Sequence, residues 1–264
     1  MDLGLKDAVV IVQGGSRGMG RAAAECFAAD GANVGIIGRT QADLDEAVEA
    51  LKAAGAADAA GFRADIGVQA DVDAAFAAIG ARWDHINTLV NAAGGEVVGD
   101  FETLTEERWL ESVNLSAMGM VRCIRAALPL IRKAEWRRIV NFSAHSIKRQ
   151  TPSLIAYTAS KAMAASISKN LSLTLAPENI LVNTILPGSF ASPALRKWAT
   201  AKGIDADDLH AIMRGIDEHF GHPAHLPRAG DPQEMGPVVA FVGSRCNSYM
   251  TGAFINVDGG SDFC

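Results

Sequence analysis

Tyr157 and Lys161 are four residues apart at the end of the stretch IVNFSAHSIKRQTPSLIAYTASK (139–161), and together they could transfer a proton. If the chain is helical from Tyr157 onward, this spacing places both side chains on one face. A free tyrosine has a pKa of about 10, too high for a base at neutral pH, but a neighbouring ammonium group favours the phenolate. The pair is therefore a candidate acid/base site for a reaction in which an oxygen gains or loses a proton.

A glycine-rich loop is the second candidate site. It follows the apolar run AVVIVQ and reads QGGSRGMGRAA, with Gly14, Gly18 and Gly20 directly before a helix-like segment. Glycines let backbone N–H groups approach a pyrophosphate closely, and the N-terminus of the following helix favours its negative charge. The spacing is GxxxGxG rather than the common GxGxxG. An ordinary strand-to-helix turn is the alternative, but the position at the first strand–helix junction favours a nucleotide site.

Seven short apolar runs must position these two sites, and longer segments with helical spacing separate them. Buried strands of a parallel sheet read as continuous apolar runs, so the alternation predicts a doubly wound, seven-stranded parallel α/β sheet with helices on both faces. Right-handed crossovers would then place the carboxyl ends of the strands along one ligand-binding edge. The predicted strands are 8–13, 33–38, 59–64, 87–92, 137–143, 180–186 and 253–257, and the predicted helices include 21–30, 41–54, 113–132 and 153–176.

Composition limits the class of protein. A chain of 264 residues that is 49% hydrophobic can form one large domain, and residues 1–264 contain no repeat or linker. The formal charge of −6 argues against nucleic-acid or anionic-membrane partners. We expect a cytoplasmic location, because the acidic N-terminus does not resemble a signal peptide and no apolar run reaches about 18 residues. Free thiols and no metal site are expected, because CxxC spacing is absent from Cys26, Cys123, Cys246 and Cys264.

Five motifs resemble the short-chain dehydrogenase/reductase family, in its classical subfamily. They fall in the family's order and spacing and span nearly the whole chain: GGSRGMG (14–20), NAAG (91–94), YTASK (157–161), PG (187–188) and TGAFINVDGG (251–260). The resemblance implies a Rossmann-like fold and hydride transfer between a nicotinamide cofactor and a carbonyl or secondary alcohol, with Tyr157 as general acid/base. Gln13 departs from the family pattern, in which Thr is usual.

The resemblance also implies roles for individual residues. Lys161 would assist Tyr157 and hold the nicotinamide ribose, Asn114 would support Lys161 through water, and Ser192 would bind the nicotinamide carboxamide. Asn91 would lie beside the cofactor, or it would have a structural role in tying strands together. The implied cofactor site consists of Gly14, Ser16, Arg17, Gly18, Met19, Gly20, Arg39, Asp65, Ile66, Asn91, Ala92, Gly94, Tyr157, Lys161, Pro187, Gly188 and Ser192.

The end of the second strand distinguishes the two nicotinamide cofactors. A site selective for NAD usually has an Asp or Glu there, which binds the ribose 2′-OH. This sequence has Gly38 followed by Arg39, whose guanidinium suits a 2′-phosphate, and Arg17 could add a second positive charge. NADP(H) is therefore favoured over NAD(H). The alternative is that Arg39 is only solvated and Arg17 pairs with a carboxylate.

One residue of the family pattern is missing. Thirteen residues before the Tyr, the family usually has a Ser that binds the substrate oxygen, and Ala144 is found there. If the chain stays extended, Ser146 faces the same side and could replace it. Ser143 would need a bulge, and the third alternative is that His145 or water serves instead. Ala144 also favours a second hypothesis for the protein, a nucleotide-binding sensor or scaffold that lost turnover.

Residues 189–228 resemble the family's variable substrate lid, which closes over the reacting centre. An interfacial helix is the alternative for part of this segment. The substrate is expected to be a small carbonyl compound or alcohol with an apolar body. Segments 113–132 and 153–176 resemble the helices that pair subunits in the family, so a homo-oligomer is expected, either a tetramer or a dimer.

Overall fold

The computed structural model describes residues 2–95, 97–221 and 223–261. Within these ranges the chain forms a seven-stranded parallel sheet with the strand order β3-β2-β1-β4-β5-β6-β7. This confirms the predicted α/β fold. The strands are β1 Val9–Gln13, β2 Asn33–Gly38, β3 Asp58–Arg63, β4 Thr88–Asn91, β5 Arg137–Phe142, β6 Ile180–Pro187 and β7 Phe254–Val257.

Helices cover both faces of the sheet, because its central strands are apolar on both sides. Val10 and Val12 of β1 face one core layer and Val9 and Ile11 face the other, as side-chain alternation along a strand requires. The helices in the described ranges are α1 Gly18–Ala29, α2 Gln41–Ala54, α3 Gln69–Arg82, α4 Glu106–Val113, α5 Gly119–Ile131, α6 Ile155–Thr174, α7 Pro193–Ala201, α8 Leu209–Phe220 and α9 Pro232–Val242.

The helical run between β4 and β5 differs from the prediction of a single helix over 113–132. It begins seven residues earlier with α4, passes through a π-helical turn at Asn114–Met118 and continues as α5. The prediction missed α4 because its sequence, EERWLESV, is polar and only Ser112 in it is buried. A π-helical turn has no signature in hydrophobic spacing, and such turns frequently occur at functional sites.

Segment 189–228 contains α7 and α8, which enclose a small apolar core of their own. Ile212, Met213 and Ile216 on α8 pack with Ala199 on α7, and Trp198 packs against this cluster. Side-chain oxygens cap both helices: Ser192 accepts from Leu195 N and Asp208 accepts from His210 N. His222 lies outside the described residues.

Three of the four cysteines, Cys26, Cys123 and Cys246, are free thiols, and Cys264 lies outside the described residues. Across the described ranges, no helix combines the length and the apolar character that a membrane span requires. Within the same ranges, no three His, Cys, Asp or Glu side chains are grouped so that they could hold a metal ion.

Candidate active site

The glycine-rich loop and the loop after β4 lie side by side at the carboxyl ends of β1 and β4. The strand order reverses between these two strands, which is where doubly wound folds bind ligands. Gln13, 2% exposed, joins the loops because its side-chain oxygen accepts a hydrogen bond from Ala93 N at 3.1 Å. Gln13 thus has a direct structural role at the position where the family usually has Thr.

The glycines of the loop are required by close backbone approaches. A Cβ on Gly14 would lie 2.6 Å from Ala93 N, and one on Gly20 would lie 2.2 Å from Gly14 O. Gly14 and Gly18 also have positive φ angles, of 81° and 58°. Helix α1 begins at Gly18, so its N-terminus and the exposed loop backbone form a cradle for an anion. Met19 packs against the core beneath this loop, and Ser16 is buried within it.

The end of β2 carries positive charge next to the glycine-rich loop. Arg39 is exposed and, within the described part of the chain, has neither an ion pair nor a side-chain hydrogen bond. Arg17 pairs with Asp43 at 3.0 Å, as the alternative interpretation predicted, but its side chain is 61% exposed. An exposed pair of this kind contributes only about 0.2–1 kcal/mol. A phosphate could therefore compete with Asp43 for Arg17.

Three residues predicted to contact the cofactor also stabilise local structure. Asp65 accepts from Gly67 N at 2.8 Å and so closes the turn after β3, where Ile66 is buried. Asn91 donates from Nδ2 to Asn141 Oδ1 at 2.8 Å, which ties β4 to β5 as the structural alternative requires. Its Oδ1 is buried and has no hydrogen-bond partner within the described part of the chain.

Tyr157 and Lys161 lie in the first two turns of α6. Lys161 Nζ is 5.8 Å from the centre of the Tyr157 ring and donates to Phe142 O at 3.2 Å. The Lys161 side chain is almost fully buried, and loss of hydration lowers the pKa of this amine to about 8. The predicted proton-transfer pair is thus brought together at the carboxyl edge of the sheet, with Tyr157 half-buried.

Gly94 lies directly against the Lys161 amine. A Cβ on Gly94 would lie 2.9 Å from Lys161 Nζ and 3.4 Å from Ser116 Oγ. The glycine of the NAAG motif therefore leaves space for the lysine head group. Sequence reasoning did not identify Ser116, because nothing in the stretch SVNLSA indicates that its hydroxyl is buried.

Asn114 lies in the π-helical turn, but its amide group is directed to the end of β3. Its Nδ2 donates to Gly67 O at 3.3 Å and its Oδ1 accepts from Arg122 at 2.7 Å. Arg122 also donates to the backbone oxygens of Ile66 and Asn114. Sequence reasoning missed Arg122, which fixes this part of the site.

The segment that follows β5 does not stay extended up to Ser146. Ala144 is extended and buried, and the chain then forms a short 3₁₀ turn over His145–Ile147. Ser143 Oγ donates to Lys161 O at 2.9 Å, and Ser146 Oγ accepts from Thr158 Oγ1 at 3.0 Å. Each predicted hydroxyl is therefore 3% exposed and held against α6.

The carboxyl end of β6 lies at the same edge of the sheet as the glycine-rich loop and the Tyr157–Lys161 pair. His145 Nδ1 lies 3.0 Å from Pro187 O, and a Cβ on Gly188 would lie 2.6 Å from Asp258 Cα. Ser192 is the cap of α7, and the next residue, Pro193, lies 3.5 Å from the position of a Cβ on Gly18. Segment 189–228 therefore begins against the glycine-rich loop.

The fold is that of a dinucleotide-binding α/β protein, and the Tyr157–Lys161 pair lies at the same edge of the sheet as the glycine-rich loop. The family model described as enoyl-(acyl carrier protein) reductase matches residues 14–262. The chain belongs to the short-chain dehydrogenase/reductase family and is an oxidoreductase.

Relatives and solved structures are similar over the whole chain. The short-chain reductase protein NovJ of Streptomyces niveus is 31% identical and covers 97% of this chain and 94% of its own. L-Sorbose reductase of Gluconobacter frateurii, complexed with NADPH and L-sorbose, superposes with a TM-score of 0.92 at 28% identity and 100% coverage of both chains. The RhlG/NADP complex of Pseudomonas aeruginosa gives a TM-score of 0.88 at 27% identity, covering 99% of each chain.

Proposed function

We propose that the protein transfers a hydride between NADP(H) and a small carbonyl compound or secondary alcohol, with Tyr157 as the general acid/base. The observation that carries this proposal is the buried Lys161 amine beside Tyr157, at the same edge as the glycine-rich loop. When bound, the nicotinamide supplies the hydride in reduction and accepts it in oxidation.

The residues present fit a dinucleotide. Gly14, Gly18 and Gly20 leave the backbone open to a pyrophosphate, and the N-terminus of α1 favours its charge. The other residues of the proposed cofactor site lie in the same loop or at the ends of the neighbouring strands. They are Ser16, Arg17, Met19, Arg39, Asp65, Ile66, Asn91, Ala92, Gly94, Pro187, Gly188 and Ser192. Asn91 Oδ1, which no described residue hydrogen-bonds, gives this set a free acceptor.

The side chains perform the proton transfer. Tyr157 donates a proton to the substrate oxygen in reduction and removes it in oxidation. A protonated Lys161 stabilises the phenolate form of Tyr157 by the attraction of opposite charges. Asn114 and Arg122 fix the π-helical turn beside Lys161.

Ser146 is the hydroxyl proposed to bind the substrate oxygen in place of the missing Ser at Ala144. Ser143 faces a carbonyl, which only accepts, so its proton is used on Lys161 O. Ser146 instead accepts from the hydroxyl of Thr158 and keeps its own proton for donation. This asymmetry supports Ser146 over Ser143.

Ser146→Ala is expected to lower turnover by more than about tenfold, since loss of one such donor typically costs about 10²–10³ in rate. The Kd of the cofactor should not change. Steady-state kinetics and a fluorescence titration with NADPH measure the two quantities, and Ser143→Ala is the matched control. An equal loss of turnover in both variants would contradict the assignment of Ser146.

NADP(H) is favoured by Arg39 and by the absence of an acid at Gly38. The sorbose reductase and RhlG structures with NADPH and NADP support the same choice. Arg39→Ala should raise the Kd of NADPH about 10- to 100-fold, as expected for loss of a hydrogen bond to a charged group, and leave that of NADH nearly unchanged.

Arg245→Ala is the control for this charge, because Arg245 is 56% exposed, pairs with Glu135 and lies beside Arg138 at the opposite edge of the sheet. A parallel change in the Kd of NADPH and of NADH in Arg39→Ala would argue against a phosphate contact. Fluorescence titrations with both cofactors make the comparison.

Segment 189–228 is proposed to be the substrate lid, because it begins against the glycine-rich loop and has its own apolar core. A homo-oligomer, tetrameric or dimeric, remains a proposal from the family resemblance. Sedimentation velocity of the purified chain measures the assembly directly.

The function is tested by incubating the protein with NADPH, and separately with NADH, against a panel of ketones, aldehydes and sugars. Oxidation of NADPH above the level of Tyr157→Phe supports the proposal. If NADPH binds but no carbonyl in a broad panel is reduced above that level, the protein is a nucleotide-binding sensor or scaffold instead.

A further inference from the structure

Ser116 carries a buried hydroxyl to which no described residue forms a hydrogen bond. The residue lies in the π-helical turn Asn114–Met118, is 3% exposed, and its Oγ has no hydrogen-bond partner within the described part of the chain. Burying a hydroxyl without a partner costs free energy, so such groups in a folded protein require an explanation.

The Ser116 hydroxyl and the Lys161 amine converge on one place. A Cβ on Gly94 would lie 3.4 Å from Ser116 Oγ and 2.9 Å from Lys161 Nζ. An ammonium group has three donors, and Phe142 O accepts one of them. Lys161 therefore has N–H donors left over beside Gly94, and the Ser116 oxygen can accept a hydrogen bond at the same place.

The other polar groups near Lys161 form hydrogen bonds with other residues or carry no negative charge, and none of the described ones gives Lys161 an ion pair. The Asn114 amide is held by Arg122 and Gly67, and within the described residues no carboxylate forms an ion pair with Lys161. The titratable groups on the neighbouring elements are Tyr157 on α6, His145 after β5, Arg122 on α5 and Asp65 after β3. A neutral oxygen is thus the group placed to support the buried cation.

We propose that Ser116 is a positioning residue that accepts a hydrogen bond from the Lys161 ammonium through one water molecule and stabilises its charged form. This inference rests on the proposed function for the role of Lys161. Because burial disfavours the ammonium, an acceptor at this place keeps Lys161 protonated over a wider pH range.

Ser116→Ala should therefore lower the pKa of Lys161 by about 1, because it removes an acceptor that binds the ammonium more strongly than the neutral amine. The pKa is measured by NMR titration of protein labelled with ¹³C at lysine Cε, with Lys161→Met identifying the signal. In the pH profile of carbonyl reduction, the decrease in rate at alkaline pH should begin at a lower pH in the same variant.

Ser112→Ala is the matched control. Ser112 is also buried, at the end of the preceding helix α4, but its hydroxyl contacts Ala156 O and Ser160 Oγ at 3.1 Å each. Ser112→Ala should lower the thermal unfolding midpoint and leave the pKa of Lys161 unchanged. Ser116→Ala should lower the pKa of Lys161 and change the thermal unfolding midpoint less than Ser112→Ala does, because no described residue bonds the Ser116 hydroxyl directly.

An unchanged pKa of Lys161 in Ser116→Ala would overturn the inference, as would an equal shift in Ser112→Ala. A larger loss of thermal stability in Ser116→Ala than in Ser112→Ala would assign Ser116 a structural role and also overturn it. The titration does not depend on turnover. A failure of carbonyl reduction would therefore contradict the proposed function without deciding the role of Ser116.

Discussion

Tyr157→Phe is expected to reduce turnover about 10²- to 10⁴-fold, the range typical of a positioned general acid/base. The substitution removes one oxygen and keeps the ring that lies 5.8 Å from Lys161 Nζ. Phe cannot donate or accept a proton, so the effect should fall on kcat. Steady-state kinetics with NADPH and a reducible carbonyl measure it.

Folding and cofactor binding should survive this substitution. Tyr157 is half-buried at the start of α6, and phenylalanine keeps its ring and the packing of that ring. Tyr249, the other tyrosine, is 97% exposed, and Tyr249→Phe is therefore the matched control for loss of a phenol. Retention of wild-type turnover by Tyr157→Phe would remove the tyrosine from the mechanism.

Gly94→Ala should lower turnover about 100-fold, because the added methyl group displaces the Lys161 head group and a 1 Å misplacement at an active site can cost that much. The new Cβ would lie 2.9 Å from Nζ, closer than a stable contact allows. The clash is with the end of a flexible side chain, so the lysine moves and the fold remains. The backbone at Gly94 is not in the positive-φ region, so alanine adds no backbone strain.

Gly80→Ala is the control for Gly94→Ala. Gly80 lies inside α3, where the atoms nearest to a Cβ would be those of the Leu130 side chain, at 3.3 Å, and alanine is the better helix former. Kinetics and thermal unfolding of both variants separate a site effect from a general one. Wild-type kcat in Gly94→Ala would show that the position of the amine does not limit the rate.

Much of the fold follows from the sequence because buried parallel strands and amphipathic helices leave strong local patterns. Helix α2 was predicted over 41–54 and has those bounds, with Gly55 in the left-handed conformation at its end. Helix α4 was missed because its sequence is polar, and α1 begins at Gly18, three residues before the predicted start at 21. Local patterns do not record how far a helix continues into a glycine-rich loop.

The candidate site was predictable in part. Four-residue spacing on a helix determined that Tyr157 and Lys161 share one face, and the glycine triplet after β1 indicated where a phosphate would bind. Hydroxyl directions were not predictable: Ser143 faces Lys161 O and Ser146 faces Thr158. The extended path assumed for residue 146 was wrong, because the chain turns at His145.

The sequence by itself determined the family and the sheet and indicated the candidate acid/base pair, because these depend on residue types at short, regular spacings. Only the tertiary structure decided that Lys161 is buried against Gly94, that Gln13 joins two loops and that the Ser116 hydroxyl has no hydrogen-bond partner among the described residues. These facts join positions far apart along the chain. Burial and hydrogen-bond partners depend on which distant segments meet, and local spacing carries no record of that.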